Sequence, residues 1–199
     1  MSIVTLVSGG LDSTLMALLV KEENIEQFPL FISYGQICRE QELKACIIVH
    51  KNLGLPAPVD MNISGFGAEI SSGLTDPSKR VNEDAFLPGR NLLFLLAGSA
   101  YAYQTNSSTV AIALLSEKNC IFPDQTNNFI NKAQETISLA LGRDIKIIAP
   151  LMQFSKNEIL HLAGNKGISD TYSCHSGTET PCGKCISCIE RNKAIKGGK

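Results

Sequence analysis

The sequence carries almost no net charge: 18 basic residues stand against 19 acidic ones, a formal balance of −1. No global positive field marks it as a nucleic-acid binder. Internal repeats and low-complexity tracts are missing too. With 44% hydrophobic and 19% charged residues, the composition excludes a disordered, collagen-like or mucin-like chain. Residues 91–116 lack any charged side chain, yet Gln104-Thr105-Asn106-Ser107-Ser108 divides them into an apolar stretch and a short β-branched run. Neither half spans the ~30 Å of a bilayer core, so a buried helix followed by a buried strand is expected, and no membrane span. No basic n-region or cleavage site follows Met1-Ser2-Ile3-Val4-Thr5, from which a cytoplasmic location is expected.

What is present is a chain of 199 residues, enough for one domain or one domain plus a small appendage. At that length roughly 70% of the unfolded surface is buried, so folding needs no disulfide. The seven cysteines are an uneven number. In a reducing compartment, clustered cysteines bind metal or do chemistry more often than they pair.

Short apolar runs alternate with helical patterns up to residue 168. Strands are expected at Ile3–Val7, Phe28–Tyr34, Pro58–Ile63, Val110–Leu115 and Ile145–Ala149. Helices are expected at Leu11–Glu22, Arg39–Leu53, Arg90–Tyr103, Asn127–Leu141 and Ser155–Lys166, the last with Ser155 and Glu158 as a capping box. The strand runs are nearly continuous in apolar residues, as in a parallel sheet covered on both faces. The pattern predicts an α/β fold, a doubly wound, Rossmann-like sheet over residues 1–168. Residues 64–88 are too long for a plain connector and read as a functional or mobile loop. Residues 169–199 are rich in Cys, Gly, Ser and Thr, with too few large aliphatics to form a core unaided.

The segment Val7-Ser8-Gly9-Gly10-Leu11-Asp12-Ser13-Thr14 joins the first strand to the first helix. Two glycines there admit close approach of a ligand and leave amides at a helix N-terminus, where the dipole favours anions. Ser8, Ser13 and Thr14 add hydroxyl donors for phosphate. Asp12 would repel a phosphate unless Mg²⁺ lies between them. The segment is neither a Walker loop nor a G-x-G-x-x-G turn. An ordinary tight turn with a Ser or Asp cap is the plain alternative.

Cys174, Cys182, Cys185 and Cys188 follow the spacing C-x7-C-x2-C-x2-C. Such thiolates converge on one ion, with structural Zn²⁺ the default and binding energy compensating for a missing core. An iron–sulfur cluster is the rival, and His175 is an alternative ligand to Cys174. Cys38, Cys46 and Cys120 read as small buried hydrophobes.

The motif Ser8-Gly9-Gly10-x-Asp12-Ser13 resembles the loop of the pyrophosphate-loop ATPases, enzymes that cut ATP between its α- and β-phosphates. With Tyr34-Gly35-Gln36, Leu87-Pro88-Gly89-Arg90-Asn91, Pro150-Leu151-Met152, Lys156 and Ser173-Cys174…Pro181-Cys182-Gly183-Lys184-Cys185-Ile186-Ser187-Cys188, the whole chain resembles the 7-cyano-7-deazaguanine synthase family of queuosine biosynthesis. The resemblance implies ATP, Mg²⁺ and Zn²⁺ as cofactors and a C–N-forming ligase releasing AMP and pyrophosphate. It implies ATP contacts from Val7 to Thr14 and from Tyr34, Gly89 and Arg90, with Asp12, Arg90 and Lys156 catalytic. Its small-molecule substrates would be 7-carboxy-7-deazaguanine and ammonia. It implies acceptor contacts from Gln36, Asn91, Phe122 and Asp124, Zn²⁺ on the four tail cysteines, and it admits a homodimer. Physically, Arg90 after Pro88-Gly89 can reach over phosphates as a fork donor. Lys156 opens a helix, where the dipole disfavours a cation unless an anion lies beside it. Tyr34 ends a strand where open α/β sheets bind ligands.

The chain departs from the family on the acceptor side. After Tyr34-Gly35-Gln36 the family's Arg-His pair is replaced by Ile37-Cys38, and the segment before Pro123-Asp124 is largely changed. The family's W-S-C-Y is here Tyr172-Ser173-Cys174-His175. These changes support a second reading, a synthase-like antiviral-defence enzyme that joins the deazaguanine carboxylate to an amine of a partner protein. A catalytically silent nucleotide-binding module is the third.

Overall fold

In β1 (Ser2–Val7) every residue from Ile3 onward is buried, and alternate side chains leave opposite faces of the strand. Val4 and Leu6 share a core with Leu95 and Ala102 of α4 (Arg90–Gln104) and with Ile130 and Ile137 of α5 (Asn127–Leu141). Ile3 points the other way, into a core with Leu15, Met16 and Val20 of α1 (Leu11–Glu22) and Ile159 of α6 (Lys156–Asn165). Val7, on that same face, joins Phe31 of β2 (Glu26–Ser33) and Cys46 of α2 (Arg39–Asn52). Helices on both sides explain why the strands read as unbroken apolar runs.

The computed structural model describes residues 1–116, 118 and 122–197. With β3 (Val59–Asn62), β4 (Thr109–Ala111) and β5 (Lys146–Ile148) the strands form one parallel sheet in the order β3-β2-β1-β4-β5. This is the doubly wound, Rossmann-like architecture expected from the alternation. After β3 the chain returns across the sheet to place β4 beside β1. The strand order therefore reverses between β1 and β4, and a crevice opens at their carboxyl ends. Pro29 is tolerated in β2 because β3 pairs only from Leu30 onward, which leaves one side of β2 open at that point. Gly98 lets α4 lie close on the sheet, since a Cβ there would stand 3.0 Å from Leu6 Cδ2 and 3.1 Å from Val110 Cγ1.

The run Val110–Leu115 stays in the ladder only through Ala111, with one further bond from the Ile112 amide to the Ile148 carbonyl. β5 ends there at Ile148 while β1 runs on to Val7, and Ile112–Ser116 instead wall the crevice. Residues 64–88 contain α3 (Gly65–Glu69) and then a loop closed by its own hydrogen bonds, among them Gly73 N to Asp84 O at 2.6 Å. Leu74, Ala85 and Leu87 of this loop are buried, so it packs as part of the domain. A 3-10 turn, Pro123–Gln125, precedes α5. The tail ends in α7 (Ile186–Gly197), and the Tyr172 amide bonds to the Gly9 carbonyl at 2.9 Å, which ties the tail to the first loop. Cys38 and Cys46 are buried thiols, whereas Cys120 lies outside the described residues. No helix among the described residues is long and apolar enough to cross a membrane.

Candidate active site

The loop after β1 is shaped by hydrogen bonds among its own hydroxyls. Ser13 Oγ accepts from the Ser8 amide at 3.1 Å and donates to the Gly10 carbonyl at 3.2 Å, and the two serine hydroxyls meet at 3.1 Å. Gly9 has φ +76°, and a Cβ there would collide with the Glu42 carbonyl and lie 2.7 Å from the Cys46 amide nitrogen. Only glycine lets α2 pack this closely behind the loop. Val7, Ser8, Gly10, Leu11, Asp12 and Ser13 line a crevice of about 700 Å³, within the range of small-molecule sites. Gly9 stands behind the loop against α2, and Thr14 is 1% exposed beneath it.

Lys156, the first residue of α6, reaches back to Asp12 with Nζ 2.7 and 2.8 Å from the two carboxylate oxygens. The side chains are 24% and 26% exposed. The anion that offsets a lysine at a helix N-terminus is thus Asp12 itself. Ser155 holds that terminus through the expected capping box, its amide donating to Glu158 Oε2 at 2.7 Å and its hydroxyl accepting from the Glu158 amide at 3.4 Å.

Arg90 opens α4 directly after Gly89, which is left-handed at φ +76°. Its guanidinium carbon lies 6.0 Å from the Tyr34 ring centroid and 5.9 Å from that of Phe94, over an aromatic pair 5.1 Å apart. Arg90, Tyr34, Phe94, Gln36 and Asn91 all line the crevice. Burial pushes the Tyr34 phenol up, against the pull of Arg90, so it stays protonated.

The proposed acceptor contacts are placed unequally. Gln36, Asn91 and Phe122 face the crevice. Asn91 Nδ2 donates one hydrogen to the Asp124 carbonyl at 2.9 Å, and Asp124 itself is not among the lining residues. Gln36 is locked to the backbone: Oε1 accepts from the Tyr34 amide at 2.8 Å, while Nε2 donates to the Ile32 carbonyl at 3.2 Å and to Glu42 Oε2 at 3.3 Å.

Among the lining residues that the sequence motifs do not point to are Glu42 and His175. Glu42 shares a face of α2 with buried Ala45, Cys46 and Val49, at intervals of three, four and seven residues. With Ile47 and Ile48 exposed on the same helix, the residue pattern of α2 does not mark this stripe as the inward one. Burial pushes its carboxyl up to about 7, although Gln36, Cys38 and Arg90 each favour the ionised form. His175, considered only as a metal ligand, faces the crevice instead; its Nδ1 is buried and has no hydrogen-bond partner among the described residues. Burial, then the nearby Arg90 charge, hold its imidazole down to about 4.

The four tail thiols converge. Sγ atoms of Cys174, Cys182, Cys185 and Cys188 lie within 4.8 Å of one another, and His175 is not part of that group. Tetrahedral Zn–S bonds of about 2.3 Å put sulfurs about 3.8 Å apart, so the set fits one ion. A cubane cluster would stand between the thiolates and spread them further. Burial disfavours the Cys174 thiolate, but the Cys182 amide and the Ser176 hydroxyl and amide outweigh it and bring the thiol to about 6. Burial pushes Cys188 up to about 12, so an unmetallated cluster keeps that proton near neutrality. Around this group the tail presents Tyr172, Ser173, His175, Ile186 and Glu190 to the crevice.

A five-stranded parallel sheet of this order, with S-G-G-x-D-S at its switch point, defines the chain as a pyrophosphate-loop α/β protein. Among solved structures it is similar to NMN synthetase from Francisella tularensis (TM-score 0.53, 16% identity, covering 100% of this chain and 77% of that one). It is also similar to a 4-thiouridine synthetase–RNA complex with bound ATP (TM-score 0.55, 17% identity, covering 98% and 50%). At such identities the likeness is one of fold. The family model described as queuosine biosynthesis protein QueC matches residues 2–198, and the chain belongs to that family. It is 33% identical to the 7-cyano-7-deazaguanine synthase of Prochlorococcus marinus (strain MIT 9215) over 212 residues, covering 98% of this chain and 93% of that protein. With the synthase of Campylobacter concisus (strain 13826) the identity is 29%, over 97% of this chain and 93% of the relative.

Proposed function

We propose that the chain is an ATP-dependent ligase that converts 7-carboxy-7-deazaguanine and ammonia to 7-cyano-7-deazaguanine. The observation that carries this reading is that Ser8, Gly10, Asp12, Ser13, Lys156 and Arg90 line one crevice together with the Tyr34–Phe94 pair. The acceptor carboxylate attacks the α-phosphate of ATP, giving an acyl adenylate and pyrophosphate. Ammonia then displaces AMP to give the amide and a proton. The amide oxygen attacks the α-phosphate of a second ATP, releasing a second pyrophosphate and one N–H proton, and loss of AMP with the remaining N–H proton leaves the nitrile. No protein nucleophile is needed, so the residues act by alignment and charge.

The Ser8–Ser13 loop, at the N-terminus of α1, receives the departing pyrophosphate. Asp12 is the residue that would hold Mg²⁺, which when bound screens phosphate charge. Lys156, then shared between Asp12 and phosphate, keeps the carboxylate in place. Arg90, held over its aromatic pair, would supply a fork donor to the α-phosphate. The four tail thiolates hold Zn²⁺ as a structural ion. ATP, 7-carboxy-7-deazaguanine and ammonium should yield AMP, pyrophosphate and the nitrile by mass spectrometry. AMP without nitrile, or product formed only with a protein amine, would favour the protein-conjugating reading. No AMP with any acceptor would overturn the proposal.

A further inference from the structure

Gln36 lines the crevice, yet it has no N–H left to offer a ligand: both hydrogens of Nε2 are committed, one to the Ile32 carbonyl and one to Glu42. Its Oε1 is held by the Tyr34 amide. The side chain is therefore a bracket, 6% exposed, that fixes the carboxyl group of Glu42 at the crevice wall. Glu42 accepts from Gln36 and from the Cys38 thiol, and a carboxylate has about four lone-pair sites, so about two stay free.

We infer that Glu42, positioned by Gln36, reads the acceptor heterocycle by accepting hydrogen bonds from two adjacent N–H donors, the ring lactam N–H and the neighbouring exocyclic amine. This rests on the acceptor proposed above. The alternative occupant is the adenine of ATP, and its chemistry fits poorly. Adenine offers one exocyclic amine flanked by ring nitrogens that are acceptors, so a carboxylate facing that edge gains one bond and meets a lone pair. A 2-amino-pyrimidinone edge offers two parallel donors, which match two carboxylate oxygens. The Tyr34–Phe94 pair beside Glu42 supplies an aromatic wall for a flat ring.

The ionised form of Glu42 is the one that reads these donors, which gives a pH signature. The groups facing it are Arg90 of α4, Tyr34 and Cys38 of the β2–α2 connection, and Cys46 on α2 itself. Burial pushes the phenol and both thiols up, so they stay neutral near pH 7, and an arginine is charged throughout. Acceptor affinity should therefore climb as pH rises through about 7 and then level off.

The test measures AMP formation with 7-carboxy-7-deazaguanine and with its analogue lacking the 2-amino group. Glu42→Gln should raise KM for the acceptor on the order of 100-fold, with KM for ATP within about twofold, because the amide turns a donor against a donor. Glu42→Asp should recover part of that loss. The analogue should suffer a comparable loss with the wild-type protein and little further loss with Glu42→Gln. Gln36→Leu removes a bond that favours the carboxylate, so it should shift the acidic limb of kcat/KM for the acceptor to higher pH. An unchanged acceptor KM in Glu42→Gln, a matching rise in the ATP KM, or wild-type indifference to the missing amine would each overturn the inference while AMP formation stands. Wild-type protein that makes no AMP with this acceptor overturns the underlying reading and the inference with it. The analogue arm needs no variant, so a Glu42→Gln that fails to fold does not shelter the idea.

Discussion

Single side chains here trade stability for chemistry. Asp12 and Lys156 form a pair about one-quarter exposed, from elements 144 residues apart. An exposed pair would contribute little, but this one stands where negative charge leaves in the proposed reaction. Asp12→Asn should lower kcat for AMP formation by a factor on the order of 10² to 10³, with a small change in melting temperature. A kinetic assay returning near wild-type turnover would remove Asp12 from the catalytic set. Glu42 shows the opposite balance. Its carboxyl titrates at about 7 against an ordinary value of 4.5, so the folded state binds the proton more tightly than the unfolded chain. That contribution is fully present below pH 4.5 and is lost as pH rises through 7. Above pH 7 the ionised, buried carboxyl is a net cost. Glu42→Gln should therefore raise the melting temperature relative to wild type at pH 8 and do so much less at pH 5. Equal shifts at the two pH values in a calorimetric scan would show that the carboxyl is not destabilised by burial.

At the scale of elements, local chemistry decided most boundaries. α1 and α5 span the residues expected of them, Leu11–Glu22 and Asn127–Leu141, because each begins and ends on local signals: a glycine loop for α1, and for α5 a Thr126 cap accepting from the Phe129 amide and a left-handed Gly142. α6 is similar, and its capping box can be tested. Ser155→Ala should cost about 1 kcal/mol, or roughly 2–4 °C in a melt of a chain this size. It should also lower kcat more than ATP affinity, since Ser155 precedes the lysine that holds Asp12. β4 was not legible in the same way. The apolar run Val110–Leu115 looks uniform, but it leaves the sheet where β5 ends, at Ile148 opposite Ala111, and nothing in the run itself marks that point. Glu42 was missed for a related reason. Glu40 and Glu42 are alike as residues, and only the packing of α2 behind Gly9 turns one outward and the other toward the crevice. The glycine loop, Arg90, Lys156 and the four cysteines were legible because each carries a chemical reason for its own position. Gln36 was legible as a residue of the site, while its task depends on three partners that no spacing reveals.

For the whole molecule, the crevice is assembled from segments far apart in the chain, and the last to arrive is the tail. Residues 172–188 have little core of their own: Tyr172 and three of the four thiols are buried together with only Cys38 and Ala45. An ion on the four thiols would thus hold that side of the crevice in place, with His175 and Glu190 among the residues that depend on it. The sheet has no such need, since Val4, Leu30, Leu95 and Val110 are fully buried in a core to which the tail contributes no residue. Metal release should therefore dismantle the site before the fold. Purified protein should carry one zinc per chain by elemental analysis, and a brown chromophore would speak for iron instead. After chelation, hydrogen exchange should rise across residues 172–197 while β1, β2 and α4 keep their protection. AMP formation should fall together with the tail's protection and return when zinc is restored. Uniform loss of protection would mean that the ion supports the whole domain, and unchanged exchange with full activity would mean that the tail holds its wall of the crevice without a metal.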